Sequence, residues 1–392
     1  IVALLITSPR GHILLDAATA EAAPSIATNI ERLGFKLSDV KLIGASHEHF
    51  DHVGGIAELQ RRTGATVMAM PTAYVAFETG EVDKEGVGPM NGRLVDFADA
   101  KIHAFSHVFH YGSAMFEGIR VYNTRNGTAA FRLDDHVERL YHSCKVYRME
   151  IPLAPQEFKD AIFETIRANG FDACYIRPVI YRGLGALGVN PFKSPVEVLI
   201  GVWKWGQYLG EDAVTNGVDV CVSSWNRMAP NTFPAMAKAT GNYLNSMLIK
   251  MEALVNGYTE GIALDSAGRL SEGSGENLFL VYRGRILTPP LAGTILPGIT
   301  RQTVMEIAGA LGYAVHERTI IRSDLHLADE VFMCGTAAEV TPVRSIDDHE
   351  IGPPGPITKA IQSTFFEVVR GRDERWSRWL DYAEKTPAAP GS

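Results

Sequence analysis

Four short stretches carry side chains whose types and spacing could do chemistry. In Ala237-Lys238-Ala239-Thr240-Gly241-Asn242-Tyr243, Lys238 stands four residues before an Asn-Tyr pair and just ahead of a long helical pattern. An isolated lysine is ordinarily a solvated surface charge. One that sheds its proton becomes a nucleophile, because only the neutral amine attacks an aldehyde. Downstream, Ser271-Glu272-Gly273-Ser274-Gly275-Glu276-Asn277 sets a carboxylate, Glu272, in a run of small polar residues. Leu296-Pro297-Gly298-Ile299-Thr300-Arg301 opens another helical pattern, and a helix N-terminus offers free N–H groups and a positive dipole end to an anion. Earlier in the chain, Ser46-His47-Glu48-His49-Phe50-Asp51-His52-Val53-Gly54-Gly55 packs three imidazoles and a carboxylate closely together. On a strand-to-helix loop such groups can fan around a metal, and the mixture of His47, His49, Asp51 and His52 suits Zn²⁺.

The elements that must position these groups divide the chain. Its 392 residues are too many for one ordinary domain, and 46 % apolar with 21 % charged residues is a globular balance. A net charge of −8 argues against nucleic-acid binding, which shows a basic patch or stripe. No segment approaches the roughly 18 unbroken apolar residues of a membrane span. The opening Ile1-Val2-Ala3-Leu4-Leu5-Ile6 reads as a strand, not a signal peptide. The chain starts without methionine, so an upstream piece is an open expectation. Cys144, Cys174, Cys221 and Cys334 have neither paired nor zinc-finger spacing, which fits a reducing, cytoplasmic compartment.

Residues 1–84 alternate strands at 1–7, 12–15 and 40–45 with a helix at 24–33. A charged, Gly- and Pro-containing stretch over 85–89 reads as a join. Beyond it, 90–205 reads as a small α/β domain with strands near 118–123, 128–132 and 174–182 and helices at 135–148 and 156–168. Residues 206–217 read as a linker, 218–383 as a larger strand-rich domain, and 384–392 as a disordered tail.

From Met90 onward the sequence resembles the branched-chain amino acid aminotransferases, enzymes of the fold-type IV pyridoxal-phosphate class. Lys-Ala-Thr-Gly-Asn-Tyr resembles that family's cofactor-lysine motif. The resemblance implies a small α/β domain beside a larger β-rich one, with pyridoxal 5'-phosphate between them. It implies that Lys238 is the cofactor lysine and proton carrier, that Glu272 faces the pyridine nitrogen, and that Tyr243 bonds the ring hydroxyl. Arg139, Ile299, Thr300 and Thr336 correspond to phosphate contacts. Tyr111, Phe116, Arg120, Tyr175, Arg177, Trp205, Tyr208 and Ala337 correspond to the substrate pocket, with Arg177 suited to the glutamate side chain. The implied substrates are small amino acids and 2-oxo acids: leucine, isoleucine and valine exchange their amino group with 2-oxoglutarate. The implied assembly is a homodimer or a higher homo-oligomer, in which a neighbour's small domain completes each pocket. The nearest rival within the fold is a D-amino acid or amine transaminase.

Residues 1–84 are similar instead to the metallo-β-lactamase superfamily, through His-x-His-x-Asp-His and the flanking Gly54-Gly55. That fold needs well over twice this length, and its remaining ligands come from a later half that the chain does not supply. The expectation is an incomplete αβ segment in which bound zinc would be adventitious, with a zinc hydrolase as the rival reading.

Overall fold

A computed structural model describes residues 3–44, 53–68, 86–206, 208–210, 212–291 and 293–383. The chain divides into two compact units, Ile1–Lys84 and Glu85–Ser392.

In the first unit four strands form one sheet in the order Leu4–Ile6, His12–Leu15, Val40–Gly44, Thr66–Met68. The first pair is antiparallel and the other two are parallel. Helices Ala23–Arg32 and Ile56–Thr63 supply the crossovers, as parallel pairing requires. Their buried Ala23, Ala27, Ile30, Ile56 and Leu59 form a core with Leu14, Val40 and Ile43. The His47, His49, Asp51 and His52 cluster lies outside the described residues. Among the described residues no group of His, Cys, Asp or Glu could hold a metal ion.

The second unit contains two sheets. The smaller runs Leu380–Tyr382, Gly127–Phe131, Ile119–Thr124, Cys174–Arg182, Val196–Trp203, Gly86–Met90, and Ala114–Phe116 also pairs with Cys174–Arg182. Helices Leu133–Val146 and Pro155–Asn169 cover it, burying Leu133, Val137, Leu140, Phe158 and Ile162 against Ile176, Ile180 and Ile200. Two features differ from the sequence reading. From Gly86 the expected join is an edge strand, antiparallel to Val196–Trp203 with a register shift between Leu199 and Gly201. Its Pro89 is tolerated because an edge position leaves one side of the strand without ladder bonds. Leu380–Tyr382 returns from late in the chain to pair antiparallel with Gly127–Phe131.

The larger sheet has nine strands and mixes parallel and antiparallel pairs. Its central strands are buried on both faces, as in Glu330–Gly335 and Asn277–Tyr282. Helices Ile299–Ala310 and Pro356–Val369 close one core, in which Phe279, Phe332, Ile307, Ile361 and Phe365 meet. Among the described residues no helix is long and apolar enough to cross a membrane. The four cysteines are buried and free.

Candidate active site

Lys238 lies on a segment stitched to the smaller sheet. Its N–H donates to Ser143 Oγ at 3.0 Å, and its carbonyl accepts from the Phe116 N–H at 3.0 Å. The next residue, Ala239, bridges to Met115. The backbone is therefore held from both sides, while the side chain is half-buried and faces a cavity of about 230 Å³. There the amine donates to the Tyr243 hydroxyl at 2.7 Å and sits 4.9 Å from the Phe116 ring centre.

One part of the cavity is built to receive an anion. Gly298 precedes helix Ile299–Ala310 in extended conformation and makes no side-chain cap. The N–H groups of Ile299 and Thr300 have no intrahelical acceptor, and both residues line the cavity. Arg139, from helix Leu133–Val146, lines it too. Its Nη1 donates to the Pro297 carbonyl at 3.0 Å, while Nε and Nη2 grip Glu117 at 2.6 and 2.9 Å. Glu117 is wholly buried and also accepts from His136 Nδ1 at 2.7 Å and the Gly118 N–H at 3.2 Å. Burial alone would push its carboxyl up, but the Arg139 charge, together with His136 and the hydrogen bonds from both, more than reverses this and holds it well below the usual range. Burial pushes His136 down, so it is a neutral ring donating one hydrogen bond.

Glu272 lines a smaller adjoining cavity that shares Tyr243, Gly275, Glu276, Asn277 and Leu296 with the main one. One carboxylate oxygen accepts from Arg227 Nη2 at 2.5 Å. The other accepts from the Leu296 N–H at 3.0 Å and Asn277 Nδ2 at 3.3 Å. Burial pushes Glu272 up, and Arg227 is the foremost opposing charge.

The remaining wall is aromatic. Phe116, Tyr175, Trp205 and Tyr208 line it, with Tyr175 and Trp205 ring centres 4.3 Å apart. The Arg177 guanidinium lies 4.8 Å from the Phe116 ring centre and 5.6 Å from that of Trp203, and its buried Nε has no hydrogen-bond partner among the described residues. Thr336 and Ala337 line the cavity from the turn after strand Glu330–Gly335. Two expected pocket residues stand apart from this lining. Arg120 donates to the carbonyls of Ala337 and Gly206, each at 3.1 Å, and so ties that turn to the segment after Val196–Trp203. Tyr111 is 46 % exposed, packed against His107.

Sequence reasoning gave no role to Glu117, His136, Arg227 or Glu276. Glu276 lines the cavity although it is buried, and its carboxyl is pushed up to about 8 by burial first and by Glu260 second. Glu260 is itself fully buried and is paired with Lys250 at 2.8 Å. A charged residue inside an apolar strand pattern, as in Met115-Phe116-Glu117-Gly118-Ile119, was the available signal for Glu117.

Residues 114–346 match the family described as amino-transferase class IV. Residues 1–142 match the metallo-β-lactamase superfamily, so 114–142 fall within both matches. In the fold those shared residues belong to the second unit. The branched-chain-amino-acid aminotransferase of Escherichia coli K12 is 48 % identical over 294 residues, 74 % of this chain and 95 % of that protein. The crystal structure of the T.th. branched-chain amino acid aminotransferase with pyridoxamine 5'-phosphate covers 77 % of this chain and 100 % of its own. It superposes with a TM-score of 0.75 at 48 % identity. A structure of the same T.th. enzyme complexed with N-(5'-phosphopyridoxyl)-L-glutamate covers the same shares at 47 % identity, with a TM-score of 0.74.

Proposed function

Because the chain belongs to the branched-chain-amino-acid aminotransferases of class IV, we propose that it exchanges the amino group of L-leucine, L-isoleucine or L-valine with 2-oxoglutarate. Pyridoxal 5'-phosphate would be held in the Lys238 cavity. The observation that carries this reading is one cavity bordered by a lysine amine, an uncapped helix N-terminus and an arginine. Those groups fit the cofactor: the free N–H groups and Arg139 suit its phosphate, and Glu272 in the adjoining cavity suits its ring nitrogen. The glutamate adduct and pyridoxamine phosphate in the two T.th. structures support both cofactor and co-substrate.

Bound there, the cofactor supplies the electron sink that makes the α-hydrogen of an amino acid removable. The chain's own groups do the rest. Arg139 with the Ile299 and Thr300 amides anchors the phosphate, with Thr336 beside them. Tyr243 holds the Lys238 amine by the 2.7 Å hydrogen bond, and it also suits the ring hydroxyl. Lys238 takes the proton from the substrate's α-carbon and returns it on the product side, acting as base and then acid. Phe116, Tyr175, Trp205 and Tyr208 enclose a branched aliphatic side chain and exclude water from it. Arg177, whose buried Nε has no partner among the described residues, supplies one for the second carboxylate of glutamate. Arg120 holds the Ala337 turn on which the α-carboxylate would rest. Tyr111, exposed and away from this cavity, would serve the pocket of a neighbouring subunit in a homo-oligomer.

The test is an absorption spectrum of protein loaded with pyridoxal 5'-phosphate, before and after L-leucine. A cofactor band that shifts with L-leucine, is restored by 2-oxoglutarate and is missing in Lys238→Ala is the expected result. A protein that stays colourless with added cofactor would overturn the reading.

A further inference from the structure

We infer that Arg227 is a positioning residue that decides where the proton between Glu272 and the cofactor's ring nitrogen resides, keeping it on the nitrogen by holding Glu272 as a carboxylate. The inference rests on the cofactor reading above and goes beyond it, because it assigns the control of the ring's charge to a residue that does not border the main cavity.

The geometry is that of a fixed counter-charge. Arg227 is 6 % exposed, and its N–H donates to the Leu264 carbonyl at 2.8 Å. Nη1 donates to Asn245 Oδ1 and Ser246 Oγ, each at 3.0 Å, both on helix Tyr243–Val255. Nη2 is thereby aimed at Glu272 Oε1, 2.5 Å away. Among the described residues, every group hydrogen-bonded to Glu272 is a donor: Arg227, the Leu296 N–H and Asn277 Nδ2. Those three bonds take three of the carboxylate's roughly four lone-pair positions and leave one, on Oε1, to face the hydrogen of the ring nitrogen.

The groups that bear on the carboxylate are few. Arg227 opposes the effect of burial most strongly, Lys238 adds a weaker positive influence, and Glu276 is carried largely protonated at neutral pH. Burial already outweighs the opposing groups and raises the Glu272 carboxyl; removing the Arg227 charge takes away the largest of those opposing groups and moves the carboxyl further towards the neutral acid. The proton would then pass from the ring nitrogen to Glu272, leaving an uncharged pair and a poorer electron sink. An opposite charge in contact moves such an equilibrium by one to three logarithmic steps, hence about 10- to 1,000-fold in where the proton lies. The same range is expected in kcat, while the KM for leucine changes less than about 3-fold, because Arg227 does not touch the substrate pocket.

The experiment uses the full chain loaded with pyridoxal 5'-phosphate carrying ¹⁵N in the ring, and reads the nitrogen's chemical shift by NMR. The wild type is expected to show a protonated nitrogen, Arg227→Met an unprotonated one, and Arg227→Lys a signal largely restored towards wild type. A purely structural role would lower the loaded fraction without moving the shift of what is loaded. A nitrogen that stays protonated in Arg227→Met overturns the inference and leaves the functional reading intact. Wild-type protein that takes up no cofactor would instead remove the reading beneath it. Should Arg227→Met fail to fold, the decision passes to Asn245→Ala/Ser246→Ala, which keeps both charges and removes the aim. A partial shift there supports the inference, and an unchanged one overturns it.

Discussion

Replacing Glu117 by glutamine should damage the protein far more than its one-atom change suggests. The carboxylate is wholly buried and receives four hydrogen bonds, from Arg139 Nε, Arg139 Nη2, His136 Nδ1 and the Gly118 N–H. Glutamine keeps one acceptor oxygen and turns the other into an NH₂ that must face a donor. It also strips the counter-charge from a buried guanidinium whose other acceptor is the neutral Pro297 carbonyl. Removing one partner of a buried ion pair costs about 3–5 kcal/mol. At roughly 2 °C per kcal/mol for a unit of this size, the melting temperature should fall by about 6–10 °C. Cofactor affinity should fall with it, because Arg139 loses the group that aims it. Calorimetry on the wild type, Glu117→Gln, Arg139→Met and the double variant separates the pair from its members. The double variant should be less destabilised than the sum of the two single changes by about 2 kcal/mol or more, because neither charge is then left alone. The sign of the pH dependence follows. The folded carboxyl titrates below its unfolded value, so its stabilisation is fully present above the unfolded pKa and is lost progressively as pH falls from there through the depressed folded pKa. A glutamine variant within about 0.5 kcal/mol of wild type, or additive single changes, would refute the idea that this pair organises the anion-binding end.

Two further outcomes follow from the same cavity. Glu276 titrates at about 8 in the folded protein, so folding must carry a proton that the unfolded chain gives up at lower pH. Glu276→Gln should therefore gain stability over wild type by about 1.4 kcal/mol per pH unit between roughly pH 5 and 8, read as a melting-temperature difference that widens with pH. A constant difference would contradict the raised pKa. At Gly118, an added Cβ would lie inside van der Waals contact of the Tyr175 hydroxyl, and Tyr175 is itself packed against Trp205. Gly118→Ala should displace that ring, raising the KM for leucine by about 10-fold or more while cofactor affinity changes little; an unaltered KM would show that Tyr175 does not shape the pocket.

Much of the site was legible because its parts sit in short local motifs. Lys238 and Tyr243 flank one turn, Glu272 lies near the end of strand Leu270–Gly273 in a run of small residues, and Ile299 and Thr300 open a helix after Pro-Gly, so sequence alone marked all of them as candidates. Arg227 was not legible, because it matters through a partner 45 residues along the chain, and Glu117 gave only the signal of a charge inside an apolar strand pattern. Nothing in Ser224-Trp225-Asn226-Arg227 indicates that it will meet Glu272 across a sheet. Arg120 was read as a pocket residue from the likeness of Met115-Phe116-Glu117-Gly118-Ile119-Arg120 to the family's pocket, and its two carbonyl acceptors, Ala337 and Gly206, were not legible in that stretch. Gly86–Met90 shows the opposite limit. Glycine and proline read as a break, and only pairing with Val196–Trp203 makes the segment a strand.

The return of Leu380–Tyr382 to Gly127–Phe131 bears on how the protein is made. Phe131 pairs with Leu380, the Arg132 N–H donates to the Trp379 carbonyl at 2.7 Å, and the Arg132 guanidinium covers the Trp379 ring. These contacts span about 250 residues, which a ribosome adds in roughly 12–50 s. Throughout that interval Gly127–Phe131 has emerged without its outer neighbour, and its free edge can template the wrong strand. The smaller sheet is thus completed only once the whole larger sheet has been synthesised, and Leu380–Tyr382 acts as a closing stitch. Loss of that stitch should appear in the cell as aggregation during synthesis before it appears as a weaker enzyme.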